Sequence, residues 1–301
     1  MSNDTESVTA EDFTPDRTRE LLAEACAAVS LDPAGASLLR HQTNAVYLLA
    51  TSPVVVKIAR PDYSVEHIHR VVDLTRWLTK MGVPVLPLLD VDQPVIVGGC
   101  AVTYWPYLEQ TRPIQTADMA TALRELHALP EAPVAMPTMD AVAAIRYSLS
   151  VERILTPGEH HVLADRCEDL ASQLPAVRYQ AAAKAIHGDP QHGNTLWDGS
   201  RALLCDWDSA AIGNPEWDLI TIEVHSRRFG HDPGSYRKFC DIYGRDIRDW
   251  DGYAVLRGLR ELRMITTNAR KSPASSPAAD EVRKRVAQLS RDEPDARWSI
   301  L

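Results

Sequence analysis

The spacing of apolar and polar positions changes character after roughly the first third of the chain. Residues 17–29, RTRELLAEACAAV, carry apolar side chains at helical intervals, and LDPAG then ends the pattern with Pro33 and Gly35. The runs AVYLLA and VVVKIA that follow are β-rich and separated by Thr51-Ser52-Pro53, which predicts a hairpin. Side chains alternate across a strand, so Val54, Val56 and Ile58 share one face while Val55 and Lys57 share the other. Lys57 is thereby a lone cation in an apolar strand. Ser64 can cap a helix in which Val65, Ile68, Val72 and Thr75 form a stripe, Glu66 lies in the first turn, and Gly82 and Pro84 mark the end. PVIVGGCAVTYWPYLEQ gives two more β-like runs and an aromatic, proline-containing connector.

Beyond that connector the spacing is helical. Met119, Ala122, Leu126 and Leu129 lie on one face of TADMATALRELHAL, whose His127 stands among leucines and reads as core. Residues 253–267 are helical as well, and KSPASSPAAD (271–280) reads as a flexible connector to a last charged helix. A β-rich start and a mainly helical remainder predict an α+β chain of two unlike lobes, 1–108 and 109–301.

Composition narrows the function classes. The chain of 301 residues is 45% hydrophobic and 24% charged, as a globular protein would be, and no run approaches the roughly 18 apolar residues of a membrane span. MSNDTESVTAEDFTPD lacks the basic start and apolar stretch of a secretory signal, so a cytoplasmic location is expected. Cys26, Cys100, Cys167, Cys205 and Cys240 have no C-x-x-C spacing, which argues against a zinc site or a disulfide framework. A net charge of −9 argues against a nucleic-acid partner and is compatible with a cationic substrate.

The densest chemistry is IHGDPQHGN, residues 186–194, followed by the hairpin signal Asp198-Gly199. A turn centred near Gly199 or Ser200 would place Asn194 almost opposite Asp206, so that two oxygen ligands converge, a plausible pair for Mg2+. Asp189 precedes Asn194 with four residues between, the D-x-x-x-x-N spacing of kinase catalytic loops: the carboxylate reaches the attacking hydroxyl while the asparagine holds the metal. A second reading makes His187 and His192 zinc ligands with Asp189, Asp206 and Asp208, as in a metal-dependent phosphohydrolase.

HGDPQHGN, LLCDWDSAAIGNPEWDL and VVVKIAR together resemble the aminoglycoside phosphotransferase and choline kinase group of small-molecule kinases, over about residues 35 to 265. The resemblance implies a bilobal, protein-kinase-like fold with a nucleotide-binding N-terminal lobe. It implies Mg2+-dependent transfer of a phosphoryl group from ATP or GTP to a small-molecule hydroxyl. Asp189 would be the catalytic base or orienting carboxylate, and Asn194 and Asp206 the metal ligands, with Asp208 a further ligand or a solvated carboxylate. Lys57, positioned by an ion pair with Glu66, would hold the α and β phosphates, and the connector from Tyr104 through Tyr107 to Leu108 would meet the base through its backbone. His187 would orient the loop and Asp218 anchor it.

Two features depart from that pattern. Gln191 stands where many relatives have His, and the segment GASLLRHQTNAVY is no G-x-G-x-x-G, so Ser37, Gln42, Thr43 or Asn44 must supply phosphate donors. For the acceptor, Glu216, Glu223 and Asp232 are acids that could meet an amine-bearing antibiotic; a sugar, amino alcohol or amino-acid-like metabolite is the alternative, and a nucleotide-binding pseudokinase a further class.

Overall fold

The computed structural model describes residues 12–61 and 63–301, and the chain divides into two compact units. Among the described residues the first unit takes those up to 114 together with 131–136 and 194–210, and the second 115–130, 137–193 and 211–301. The division therefore does not follow a single cut at residue 108: the hairpin after the D-x-x-x-x-N loop returns to the first unit because its strands pair there.

In the first unit, α1 (Pro15–Ala28) is capped by Thr14 and precedes β1 (Ser37–His41), β2 (Asn44–Leu48) and β3 (Val54–Ala59). Helix α2 (Val65–Lys80) leads to β4 (Val95–Val97) and β5 (Cys100–Pro106). The sheet is antiparallel in the order β1-β2-β3-β5-β4. The 51–53 hairpin forms as the pattern predicts, with Val56 and Ile58 fully buried and Val55 and Lys57 half-buried. The apolar face of the sheet packs on α1, whose Leu21 and Leu22 are buried with Tyr47 and Tyr104. Each leucine buried this way stabilises the unit by about 1.5–3 kcal/mol. Ser64 caps α2 by accepting from the His67 N–H.

Strands β7 (Thr195–Trp197) and β8 (Ala202–Leu204) complete the unit. Between them Asp198 accepts the N–H groups of Ser200 and Arg201, and Gly199 supplies the positive φ, 99°, that a two-residue hairpin turn takes at its first central position. The segment after α2 joins β8 through Leu86 N–H to Leu204 O and Leu204 N–H to Pro84 O, both 2.9 Å.

The second unit contains α3 (Met119–Ala128), α4 (Ala141–Val151), α5 (Pro157–Gln173), and the short pair β6 (Lys184–Ile186) and β9 (Ala211–Gly213). Helices α6 (Glu216–Arg228), α7 (Pro233–Tyr243), α8 (Tyr253–Lys271) and α9 (Pro277–Ser290) follow. Its core gathers Ile145, Leu163, Ile186, Trp217, Leu262 and Val282. Helix α6 is buried almost all round, so the carboxylates and guanidinium groups on it are paired inside. The connector expected at 271–280 is shorter than its composition suggests, because Lys271 still belongs to α8 and Ser276 caps α9. Among the described residues no helix is long and apolar enough to cross a membrane.

Candidate active site

In the first unit the site grows from Lys57. The half-buried face of β3 presents its ammonium, which donates to Asp206 Oδ1 at 3.0 Å and Asp208 Oδ2 at 2.9 Å. Burial alone would pull the Lys57 pKa down, but the negative charges of Asp206 and Asp208 outweigh it and the net shift is upward. Asn44 joins the group, its Nδ2 donating to Asp208 Oδ2 at 3.3 Å. Two acceptor atoms here, Asp208 Oδ1 and Asn44 Oδ1, are buried without a hydrogen-bond partner. Such oxygens ordinarily find a donor or a cation.

The hairpin register differs by one residue from the expected one. Thr195 pairs with Leu204, so Asn194 stands opposite Cys205, whose N–H donates to the Asn194 carbonyl at 2.9 Å. Asp206 then turns into the left-handed region, φ 65°, which aspartate tolerates better than most residues. That turn, rather than cross-strand pairing, delivers its carboxylate to Lys57.

In the second unit the site grows from Asp218, a wholly buried carboxylate in the first turn of α6. It accepts the N–H groups of His187 and Gly188, each at 2.8 Å, and its Oδ2 lies 3.1 Å from His127 Nε2. Gly188 turns back at φ 81°, a conformation that favours glycine, and its carbonyl accepts from Trp217 Nε1 at 3.0 Å. The loop is thus held on both sides just before Asp189. His187 is fully buried, with Nδ1 3.4 Å from the Asp189 nitrogen. His127 is more than core filling, since it ties Asp218 to the Tyr243 hydroxyl.

Asp189 itself meets a guanidinium: Arg260 Nη2 donates to its Oδ1 at 2.5 Å and lies 3.2 Å from His225 Nε2. Burial pushes the Asp189 pKa up, but the charge of Arg260, with a smaller contribution from His225, overrides it and leaves the value at about 2. His225 is held neutral to about pH 3, by burial first and Arg260 second. Neither Arg260 nor His225 stood out in the sequence. A signal existed: Leu256, Leu259, Arg260 and Arg263 follow the i, i+3, i+4, i+7 spacing of a buried helix face, where arginine is out of place.

Several expected roles change. Glu66 does not pair with Lys57; it is exposed, accepts from its own N–H and from Ser64, and its pKa is lowered by those bonds. One residue on, about 100° around α2, His67 is the side chain near Lys57 and Asp208, and its Nε2 is buried without a partner. Tyr104 cannot offer its backbone to a base, because its N–H donates to Gln93 Oε1 and its carbonyl accepts from Leu89, while its hydroxyl donates to Ala25 O inside the core. Tyr107 is exposed, with its N–H on Pro53 O at 2.8 Å. Ser37 is exposed on β1, and Thr43 lies in the turn before Asn44.

The acidic acceptor candidates all have structural duties. Glu216 Oε1 takes Arg245 and the N–H groups of Gln180 and Ala181; Glu223 pairs with Arg227 at 2.8 Å; Asp232 caps α7 through Gly234 and Ser235. Each of the three thus already serves the fold, with Glu216 Oε2 buried beside these bonds without a partner and Asp232 exposed at its helix end.

A β-sheet unit carrying a lysine–aspartate pair, followed by a mainly helical unit with an anchored Asp-containing loop, defines a protein-kinase-like phosphoryl transferase. The model of the phosphotransferase enzyme family matches residues 36–259. The chain belongs to that family, and is a phosphotransferase that takes a hydroxyl group as acceptor. No curated protein sequence matches it. An amicoumacin kinase solved with AMP-PNP and Ca2+ superposes with a TM-score of 0.73 at 14% identity, covering 94% of this chain and 97% of that one. A choline/ethanolamine kinase family protein from Mesorhizobium loti gives 0.66 at 19% identity over 92% and 93% of the two chains. A spectinomycin phosphotransferase solved with ADP and spectinomycin gives 0.68 at 13%, over 93% and 100%. At these identities the superpositions speak for the fold.

Proposed function

We propose that the protein is a Mg2+-dependent kinase moving the γ-phosphoryl group of ATP or GTP to a hydroxyl of a small molecule. The observation that carries this reading is the Lys57 ammonium held by Asp206 and Asp208 in a chain of the phosphotransferase family. The donor set suits a hard cation, since carboxylate and amide oxygens surround Lys57 and two of them are buried without partners. Asn194 and Asp206 would hold Mg2+, which when bound neutralises charge on the phosphates. Asp208 and Asn44 are further oxygen donors beside it.

Lys57 binds the α and β phosphates, exchanging a carboxylate partner for phosphate oxygens. Ser37, Thr43 and the exposed Tyr107 stay candidates for contacts to the nucleotide. Asp189 accepts a hydrogen bond from the acceptor hydroxyl and aligns its oxygen with the γ-phosphorus. A new O–P bond forms, the β–γ bridging P–O bond breaks, its electron pair leaves on the nucleoside diphosphate, and the hydroxyl proton passes through Asp189 to solvent. With a pKa of about 2, Asp189 is a weak base, and its contribution is alignment, as a loose transition state permits.

Antibiotics are acceptors of structural neighbours, and in this chain the three acids expected to meet a cationic one are consumed by pairing and capping. Among the described residues no three His, Cys, Asp or Glu side chains gather as metal ligands, so nothing favours the zinc phosphohydrolase reading. The test is Asp189→Ala: turnover should vanish while nucleotide affinity stays nearly intact, and full activity in that variant sinks the assignment.

A further inference from the structure

The surroundings of Asp189 are cationic, the reverse of what an amine-bearing acceptor needs. Arg260 and Arg263 lie three residues apart on α8, which places them as neighbours on one face of the helix. Arg260 is 95% buried and bonds Asp189, yet its Nε is buried without any partner. Arg263 has no carboxylate within ion-pair distance among the described residues; its hydrogen-bonding contact is Met139 Sδ at 3.0 Å, and its guanidinium lies 5.5 Å from the Trp217 ring. Asp189 and Arg260 both act electrostatically on Arg263, whose pKa is drawn down to about 10, by burial first and by Arg260 second.

The charge balance follows from the pairing. Arg260 is bonded to Asp189, Arg263 lies near enough on the same helix face to feel both charges, and His225 beside Arg260 is neutral. The other acid on this part of α8, Glu261, is already spent on Arg227 and Arg228 at 2.9 and 2.7 Å. Among the described residues one positive charge is left without a counter-ion. A half-buried guanidinium in that state is costly unless an anion meets it, and packing against Met139 and Trp217 alone needs no charge. Guanidinium forks suit carboxylate and phosphate oxygens.

We propose that Arg260 and Arg263 receive an anionic group of the acceptor whose hydroxyl Asp189 aligns, so that the substrate is an anionic alcohol, such as a hydroxy acid or a sugar acid, rather than a polyamine or quaternary amine. This rests on the kinase reading above and names its substrate class. Arg263 is the specificity-determining residue; Arg260 shares the anion while holding Asp189 in place. The anion compensates the charge that the protein leaves unpaired, and the hydroxyl lies a short carbon skeleton away.

The test titrates the protein saturated with Mg2+ and AMP-PNP against matched acceptors on two skeletons. Glycerate, glycerol 3-phosphate, glycerol and 3-amino-1,2-propanediol form one set; gluconate, glucose 6-phosphate, glucose and glucosamine form the other. The same panel is run with ATP for nucleotide consumption. An anionic member of at least one set should bind roughly tenfold or more tightly than its neutral and cationic partners, as one charged hydrogen-bonded pair allows. Whether carboxylate or phosphate wins identifies the anion.

Arg263→Gln should erase that preference, and for any member that is turned over should raise KM with little change in kcat. Arg263→Lys should keep part of the preference, and both variants should bind nucleotide as the parent does. Equal binding across charges on both skeletons, or preference for an amine, overturns the proposal and leaves the kinase reading standing. Anion preference without any nucleotide binding or consumption has the opposite meaning: the substrate class holds and the kinase reading falls.

Discussion

On the proposed function, Asp218→Asn separates positioning of the Asp189 loop from binding of the nucleotide. The carboxylate is wholly buried and takes three donors: His187 N–H and Gly188 N–H at 2.8 Å, and His127 at 3.1 Å. Hydrogen bonds to a charged acceptor contribute about 1.5–3 kcal/mol each, and a buried donor left unpaired costs about 1–3 kcal/mol. Asparagine keeps one oxygen and turns an NH2 toward a donor, so at least one N–H loses its acceptor; the expected cost is about 2–4 kcal/mol. Of the roughly 5–15 kcal/mol that holds a protein folded, this is a large share, yet the variant remains folded in buffer. The loss is read as a lower urea midpoint at unchanged slope. Gly188 directly precedes Asp189, and a displacement of about 1 Å at an aligning group costs on the order of 100-fold in rate. Turnover should therefore fall steeply. Nucleotide affinity, titrated with Mg2+ and AMP-PNP, should stay within about twofold, because Lys57, Asp206 and Asp208 hold one another. A variant with parental midpoint and parental kcat would refute the anchor; equal losses of affinity and kcat would mean that Asp218 holds up far more than the loop.

Lys57→Met leaves Asp206 and Asp208, which share that ammonium at 3.0 and 2.9 Å, as facing like charges. It should destabilise the protein by about 1–3 kcal/mol and weaken nucleotide binding at least about tenfold; adding Asp208→Asn should recover stability without affinity, and a calorimetric titration with denaturant curves distinguishes the two. Acid pH should destabilise the protein through the buried histidines. His225 and His192 have pKa values lowered to about 3 and about 4, so between those values and 6.5 the unfolded chain binds protons that the folded one refuses, and stability falls as pH falls. Each contributes about 1.4 kcal/mol per pH unit below roughly pH 6.5. Urea midpoints between pH 7.5 and 5 should drop in the parent and drop less in His225→Gln; the same slope in both would dismiss the buried neutral imidazole. Asp189 adds a later loss of the same sign, its depressed pKa stabilising the fold above about pH 4 and ceasing to do so as pH falls toward 2.

The local elements were legible because each rests on near-neighbour rules. Ser64 caps α2, the 51–53 turn joins β2 to β3, and Asp198-Gly199 closes the second hairpin, all determined by a few adjacent residues. The kinase spacing was legible for the same reason, since Asp189 and Asn194 belong to one short loop. Whatever depended on a distant partner was not. A hairpin of the right turn still paired Asn194 with Cys205 because the register is set at Gly199 and Ser200, and only the left-handed turn of Asp206 carries its carboxylate to Lys57. Glu66 occupied the right helix and the wrong angle, and 100° of rotation gives the place beside Lys57 to His67.

The three acids named for the acceptor show what charge read along the chain leaves out, namely the partners that the fold supplies. Glu216 and Glu223 sit on a helix buried almost all round, so they had to be neutralised internally, by Arg245 and Arg227. A carboxylate in such a helix is evidence of a cation nearby in the fold rather than of a cationic ligand. The converse applies to α8. Arg228 and Arg227 exhaust Glu261, Arg260 takes Asp189, and Arg263 is the member of the set that no carboxylate of the described chain balances. A net charge of −9 spread over the whole surface says nothing against a local excess of positive charge at one carboxylate. On the proposal above, it is the unmatched cation near Asp189, and not the acidity of the whole chain, that bears on which alcohol is phosphorylated.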